Sequence, residues 1–416
     1  MAEAVLDLDR GDTPVLPTGV EDLLPPEASR LMALRATWMR SAGLWGYDEV
    51  IAPLVEYLDQ LARGRGAALS QKMIRFSDPV SGRTMGVRAD HTPQIARMVA
   101  RRLRHRPFPQ RLTYAGPVLR AQPGSSGSGR ELYQAGIELL GVPGPEGDAE
   151  VLIAMDDLLA ALGLNQTVIE LNHVGIAQGL LEALGGGETV RSGVIRAFHR
   201  KAAHDLAALV GSGRPELLKL MSDLVALHGP ADRVLPELQR WAEGLPQLSV
   251  AQPELAPTIA GIRAAVANLG TVVEQCRAAG LGGRLALDPT ELKGLDYHTG
   301  LVWNAYSTGH REAVAVGGRY DGLVDNTEGT GCSVDLKVVL HLTRSRAAPQ
   351  ACTLVRLAWP TAGGQAGFAL LRALHGAGIA AARCRSEKAD LHWSVEGWRD
   401  RDGQTVADPL AWARSV

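Results

Sequence analysis

Cysteine is scarce in this chain. Its 416 residues hold four, Cys276, Cys332, Cys352 and Cys384, widely scattered and without a Cys-x-x-Cys pair. That excludes a disulfide framework and the common zinc motifs, so they read as ordinary reduced thiols. Neither sign of charge prevails: 43 Lys and Arg stand against 45 Asp and Glu, a net charge of −2. Such a balance argues against nucleic acid as the main partner, because neutralising phosphates needs clustered cations. Long apolar runs are missing, and VLIAMDDLLAALGL is interrupted by two aspartates. No run therefore reads as a bilayer span. The start, MAEAVLDLDRGD, is acidic and lacks the basic opening and apolar core of a secretion signal. These absences point to the cytoplasm. The length, with 46% hydrophobic residues, predicts two or three domains and enough chain to bury a core.

Periodicity gives the organisation. EASRLMALRATWMRSAGLWGY follows Pro25-Pro26 and repeats apolar residues at helical spacing. YDEVIAPLVEYLDQL turns extended, and MIRFSDPVSGRTMGVRAD reads as a hairpin about Ser81-Gly82. Thr92 and Pro93 are placed to cap and open a helix over PQIARMVARRL. GPVLRAQPGSSGSGRELYQAGIELLG then reads as two strands around a loop of small residues, followed by the helix AEVLIAMDDLLAALGL and the strand TVIELNHV. From Gly175 to Gly270 the pattern is helical, with breaks at Gly211-Ser212-Gly213, Gly229-Pro230 and Gly244-Leu245-Pro246. Strands resume at GGRLALD, GLDYHTGLVWNAYS and EAVAVGG, and a helix is expected over CSVDLKVVLHLTR. RAAPQ reads as a linker to a tail of alternating strand and helix.

Hairpins with segregated helices predict an α+β fold built on an antiparallel sheet. The expected bodies are a discontinuous core over 1–174 and 271–345, a helical insertion over 175–270, and a small α/β piece over 346–416.

Side chains alternate faces along a strand. In ELYQAGIELL one face carries Leu132, Gln134, Gly136, Glu138 and Leu140. Val118, Arg120 and Gln122 alternate in phase on the preceding strand, and GLDYHTG puts Asp296, His298 and Gly300 together opposite Tyr297 and Thr299. An amide and a carboxylate flanking a glycine suit a small polar ligand, since a buried unpaired charge is costly. The alternation alone serves a solvated sheet face equally well. Two glycines beside Arg319 in AVGGRYDGLV suit close backbone approach. The basic run Arg101 to Arg111 reads as a solvated helix end, with an anion or protein contact as the alternative. DNTEGTG has some features of a phosphate-binding loop but lacks its paired acid and apolar strand, and reads as an ordinary turn.

Taken together, LPTGVEDLLPPEA, GYDEVIAPLVE, VRADHTPQIAR, YAGPVLRAQ…ELYQAGIELLG, KGLDYHTG and GGRYDGL resemble the class II histidyl-tRNA synthetases. They more closely resemble a non-synthetase branch, the regulatory subunits of ATP phosphoribosyltransferase. The resemblance implies a class II synthetase-like antiparallel sheet with flanking helices, and a dimer formed through GYDEVIAPLVE. It also implies a histidine pocket. Asp90 and Gln134 would receive the α-ammonium with Thr92 nearby, and Glu138 would accept from the imidazole N–H. Tyr297 and His298 occupy a double-tyrosine position. Lys293 stands where synthetases carry an arginine, and Arg120 matches the second-motif arginine.

The nucleotide side departs from the synthetase pattern. Arg-x-Glu has become Arg120-Ala121-Gln122, the charged loop has become PGSSGSG, and a third-motif arginine has become Val338. The resemblance thus implies no catalytic residues, no cofactor and no metal. It implies a histidine-binding regulatory subunit, dimeric within a hetero-oligomer that includes a separate short catalytic subunit, and gives no reason to expect tRNA binding. The piece after Gln350 is shorter than an anticodon-binding domain and not notably basic. The alternatives are a divergent histidyl-tRNA synthetase or related ligase, and a nucleic-acid-binding relic using the Arg101–Arg111 run.

Overall fold

The computed structural model describes residues 16–61, 72–123, 129–211, 213–291, 297–323, 327–344, 355–358, 364–384, 389–394 and 396–415. The chain divides into two compact units, 1–343 and 344–416.

The first unit is organised by the long hairpin Gln110–Leu119 and Glu131–Leu140, paired from Gln110↔Leu140 to Leu119↔Glu131. Gly329–Asp335, Ala315–Arg319, Leu301–Tyr306 and Val168–His173 extend it in that order, each antiparallel to its neighbour. Short strands finish the edges. Asp48–Glu49 runs parallel to Gln110–Leu119, and Leu285–Leu287 runs parallel to Val168–His173. Gly229–Pro230, read from the sequence as a break between helices, is the outermost strand beside Leu285–Leu287.

The two sheet faces are treated differently. Ala135, Ile137 and Leu139 turn inward and join Val151, Leu152, Met155, Leu158 and Leu159 of the helix Gly144–Ala161 in the main core. Each large aliphatic side chain buried this way contributes about 1.5–3 kcal/mol. The opposite face carries Gln134, Gly136 and Glu138. At one end it is roofed by Ile95, Ala96 and Val99 of the helix Thr92–Arg101, which pack with Leu112, Tyr114 and Leu140. The polar face is therefore covered, and the solvated-face alternative fails.

Among the described residues, seven α-helices lie between Val174 and Ala278. Their Leu180, Leu224, Leu238 and Leu269 share one continuous apolar cluster with the sheet residues Ile169, Leu171 and Leu287. The stretch Pro253–Ala278 is long and apolar enough to cross a membrane by length and composition, which the run-length reading overlooked. It is a core helix here, with Ile259, Ile262, Val266, Leu269, Val272 and Val273 buried.

Three local readings are corrected. Thr92 does not cap its helix: His91 stands at the cap position without a side-chain cap bond, and the Thr92 hydroxyl is drawn to Glu138 instead. The segment CSVD is the end of a strand, and the helix begins at Leu336, where the Asp335 carboxylate accepts from Lys337 N at 3.0 Å. Tyr297 to Gly300 form a turn before the strand that starts at Leu301, fixed by Thr299 N donating to Arg319 O at 2.8 Å.

Most of the basic run is exposed, with Arg106 paired to Asp48 at 2.6 Å and Arg111 to Glu150 at 2.7 Å. Lys293 and the PGSSGSG residues 124–128 lie outside the described residues, as do RAAPQ and Asp325-Asn326.

The second unit is a four-stranded sheet. Val355–Ala358 has parallel neighbours on both sides, Ala381–Arg383 and Leu391–Ser394. A hairpin strand Gly397–Asp400 and a closing helix Pro409–Ser415 complete it, and both were missed in the sequence. Val355, Leu357, Leu374, Leu391 and Trp398 form its core.

Arg319 is a buried tie of the first unit. It donates to Asp148 at 2.9 Å, to Asp321 at 2.9 Å and to the Gly144 carbonyl at 2.7 Å, while Thr330 donates to Asp148 at 2.7 Å. Removing one partner strands a buried charge, which typically costs about 3–5 kcal/mol. Arg319→Met should lower unfolding free energy by that amount in urea titration. A loss under ~1 kcal/mol would show that the pair is not desolvated as described.

Candidate functional site

Glu138 is the centre of the covered polar face. It is 1% exposed. Three hydroxyls converge on it: Thr92 donates to Oε1 at 2.7 Å, Tyr114 donates to Oε1 at 3.2 Å, and Tyr320 donates to Oε2. A carboxylate can accept about four hydrogen bonds, so one direction remains open to a ligand. Burial pushes its pKa from 4.5 up to about 7, opposed by the hydroxyl donors and assisted by the charge of Asp90.

Gln134 stands two residues away on the same strand face and is 4% exposed. Its Oε1 accepts from the His91 backbone N at 3.1 Å and lies 2.8 Å from His91 Nδ1, while its Nε2 donates to Asp90 Oδ2 at 3.3 Å. Asp90 Oδ1 in turn accepts from Thr92 N at 2.9 Å. His91 stacks on Tyr114 with centroids 4.4 Å apart. Burial, with Arg88 nearby, holds its pKa down at about 4, so it is neutral at physiological pH.

Glycines create the space. A Cβ on Gly331 would lie 1.8 Å from Glu138 Oε2, one on Gly318 2.5 Å from His298 Cδ2, and one on Gly136 2.3 Å from the Tyr114 hydroxyl. The adjacent strands thus have a floor without side chains, onto which three polar groups settle. Tyr297 forms the far wall, edge-on to His298 at 5.1 Å and 5.9 Å from the Tyr320 ring. The Tyr297 hydroxyl is buried and meets no group in good hydrogen-bonding geometry among the described residues, with Thr92 the nearby hydroxyl.

The structure therefore brings together Asp90, Thr92, Gln134, Glu138, Tyr297 and His298. Arg120 lies one residue past its strand and lines, with Gln134, Asn304, Arg311 and Ser333, a cleft of about 400 Å³. Val338 also lines that cleft, and Gln122 is exposed. Lys293 lies outside the described residues, so its expected role gains no geometry. Sequence reading missed three members: His91, Tyr114 and Tyr320. Tyr320 sits inside the quoted GGRYDGL segment. Tyr114 was recoverable from strand pairing, since it lies opposite Gly136.

Chemically, two acids lie close together here, joined through Thr92, beside an amide whose oxygen is engaged by His91; the acids suit a ligand rich in N–H donors. The comparisons bear on which ligand. A family model described as histidyl-tRNA synthetase matches residues 19–339.

The chain belongs to the histidyl-tRNA synthetase family.

Among relatives in that family, the ATP phosphoribosyltransferase regulatory subunit of Pseudomonas aeruginosa strain PAO1 is 37% identical over 336 residues, covering 80% of this chain and 82% of that one. The protein of the same name from Geobacter metallireducens is 34% identical, over 80% of this chain and 74% of its own. These relatives place the chain on the family's regulatory-subunit branch. The fold agrees. A Bacillus halodurans structure described as an ATP phosphoribosyltransferase regulatory subunit/histidyl-tRNA synthetase matches with TM-score 0.73 at 24% identity, over 94% of this chain and 95% of that one. A Nostoc histidyl-tRNA synthetase matches with TM-score 0.71 at 20% identity, over 96% of this chain and 98% of that one. The class II synthetase-like α+β fold expected from the sequence is the fold observed.

The raised pKa of Glu138 gives the pocket a pH signature. Between about 4.5 and about 7 the folded protein holds a proton that the unfolded chain releases. Stability of the ligand-free protein then falls as pH rises through that window. Glu138→Gln removes this contribution, so the variant's melting temperature should gain on wild type as pH is raised from 4.5 to 8. Parallel profiles would refute the buried, protonatable carboxyl. Gly331→Ala should also disturb the site, displacing Glu138 at a cost of ~1–3 kcal/mol in stability.

Proposed function

We propose that this chain is a non-catalytic regulatory subunit that binds free histidine and reports it to a separate, short ATP phosphoribosyltransferase catalytic subunit. The observation carrying this reading is the buried Glu138 carboxyl, held by three hydroxyls and joined through Thr92 to the Asp90–Gln134 pair. The α-ammonium of histidine suits Asp90 and Gln134. The imidazole N–H suits Glu138, and the second ring nitrogen suits the Tyr297 hydroxyl or His298. The ligand carboxylate is assigned to the cations, Lys293 and Arg120.

The same chain is poorly equipped to activate an amino acid. Gln122 replaces an acid, Val338 replaces an arginine, and the second-motif loop carries no charge between Pro123 and Gly129. Each lost preorganised charge stabiliser typically costs ~10²–10³ in rate. A pocket kept for the amino acid beside a weakened nucleotide site describes a sensor. Histidine then regulates the complex only by binding one arrangement better than another, with coupling typically ~1–3 kcal/mol. The GYDEVIAPLVE segment leaves Ile51 84% and Leu54 49% exposed, which supports a homodimer through it within a larger hetero-oligomer.

Calorimetry on the purified complex should show histidine binding, and histidine should inhibit the transferase. Glu138→Ala removes a charged hydrogen-bond partner worth about 1.5–3 kcal/mol, so affinity should fall roughly 10–150-fold while the subunits still co-purify. Equal inhibition of mutant and wild type would contradict the pocket assignment. Histidine-dependent exchange of diphosphate into ATP is expected to be absent; its presence would restore the ligase reading.

A further inference from the structure

Lys201 has the only positive φ among the described non-glycine residues, 54°. It follows the helix Glu188–His199, where Lys201 N donates to Phe198 O at 3.1 Å and Ala202 N to Ala197 O at 2.9 Å. Glycine adopts this left-handed conformation at a helix end without steric penalty, so a lysine here calls for a reason in its side chain. The reason is visible. Lys201 Nζ reaches the sheet and donates to both oxygens of Asp288, with Oδ2 at 2.6 Å, and to Thr290 Oγ1. Asp288 is 8% exposed and Thr290 1%.

The segment it grips is tied from the other side as well. Asp288 N donates to Leu171 O at 3.1 Å, and Asn172 Nδ2 donates to Glu291 O at 2.5 Å. Thr290 donates to Asp288 Oδ1 through its backbone N at 3.1 Å and its hydroxyl at 2.9 Å. His199 Nδ1 lies 3.8 Å from Glu291 Oε1. Residues 288–291 are thus clamped between a sheet strand and the helical region. In the sequence this segment leads straight into Lys293 and then Tyr297-His298.

We propose that Lys201 is a positioning residue for the histidine pocket. It anchors residues 288–291, which in the sequence precede Tyr297 and His298, and so links the helical region to ligand affinity. The ligand part rests on the reading under Proposed function; the anchoring part does not. Lys201 touches none of the described pocket groups, so it acts through Asp288 and Thr290.

The test uses the full chain in its complex. Lys201→Met and, as a milder change, Thr290→Val are compared with Arg284→Met, which breaks the two-pronged pair with Asp156 at 2.5 and 2.6 Å without touching residues 288–291. Hydrogen exchange in peptides covering 288–300 should quicken in the first two variants and not in the control. Histidine affinity should fall about tenfold, within the range of ordinary coupling, and Lys201→Arg should recover it. Unchanged exchange in those peptides overturns the proposal whether or not histidine binds. Quickened exchange with unaltered affinity, in a wild type that binds histidine, overturns the link to the pocket. A wild type that binds no histidine contradicts the functional reading, and the anchoring is then decided by exchange alone.

Discussion

The site depends on one buried carboxyl group held by hydroxyls. Taking Glu138 out of water is costly unless its oxygens are occupied. Thr92, Tyr114 and Tyr320 meet that requirement from three separate parts of the chain: a helix start, the partner strand of the hairpin, and the residue after Ala315–Arg319. Their convergence requires the strand beside Glu138 to lack a side chain at Gly331, and Glu138's own strand to lack one at Gly136, opposite Tyr114. The sheet register, the two glycines and the helix at Thr92 therefore serve a single placement. Shift any strand by one residue and every group on this face turns into the apolar core.

That placement explains which parts of the site could be read in the sequence. Gln134 and Glu138 were visible because they lie on one strand, where period-two alternation is a local property. The apolar residues between them, Ala135 and Ile137, identify the core side just as locally. The hydroxyls were not visible in this way. Thr92 has the sequence context of a helix cap, and tertiary demand redirects it to Glu138. Tyr320 and Tyr114 reach the carboxyl only through register between strands distant in sequence. Tyr297 and His298 were assigned to alternating strand faces. They sit in a turn instead, and both approach the pocket from it. The short edge strand at Gly229–Pro230 carries no β signal of its own and exists only because Leu285–Leu287 offers an unpaired edge.

The family relationship sharpens a contrast inside the sheet. One face carries two adjoining groups of polar residues: the buried network around Glu138, and the open cleft lined by Arg120, Arg311 and Val338, with Gln134 common to both. The buried network keeps its carboxyls, amide and hydroxyls in contact with one another. The cleft retains cations but carries an aliphatic side chain at the third-motif position. Aminoacylation needs both groups in working order at once, because its charge stabilisers act only where the two substrates meet. Recognition of a free amino acid needs only the first.

An incomplete polar network also explains how ligand binding could be felt beyond the pocket. Among the described residues the buried Tyr297 hydroxyl lacks a well-placed partner, and Glu138, with three donors, has capacity for one more at a pKa near neutrality. Both deficits raise the free energy of the empty, closed pocket relative to arrangements in which water reaches these groups. A ligand that supplies a donor to Glu138 and a partner to Tyr297 removes both deficits only in the closed arrangement. Its binding energy is then differential between arrangements, which is the condition any ligand must meet to shift a conformational equilibrium.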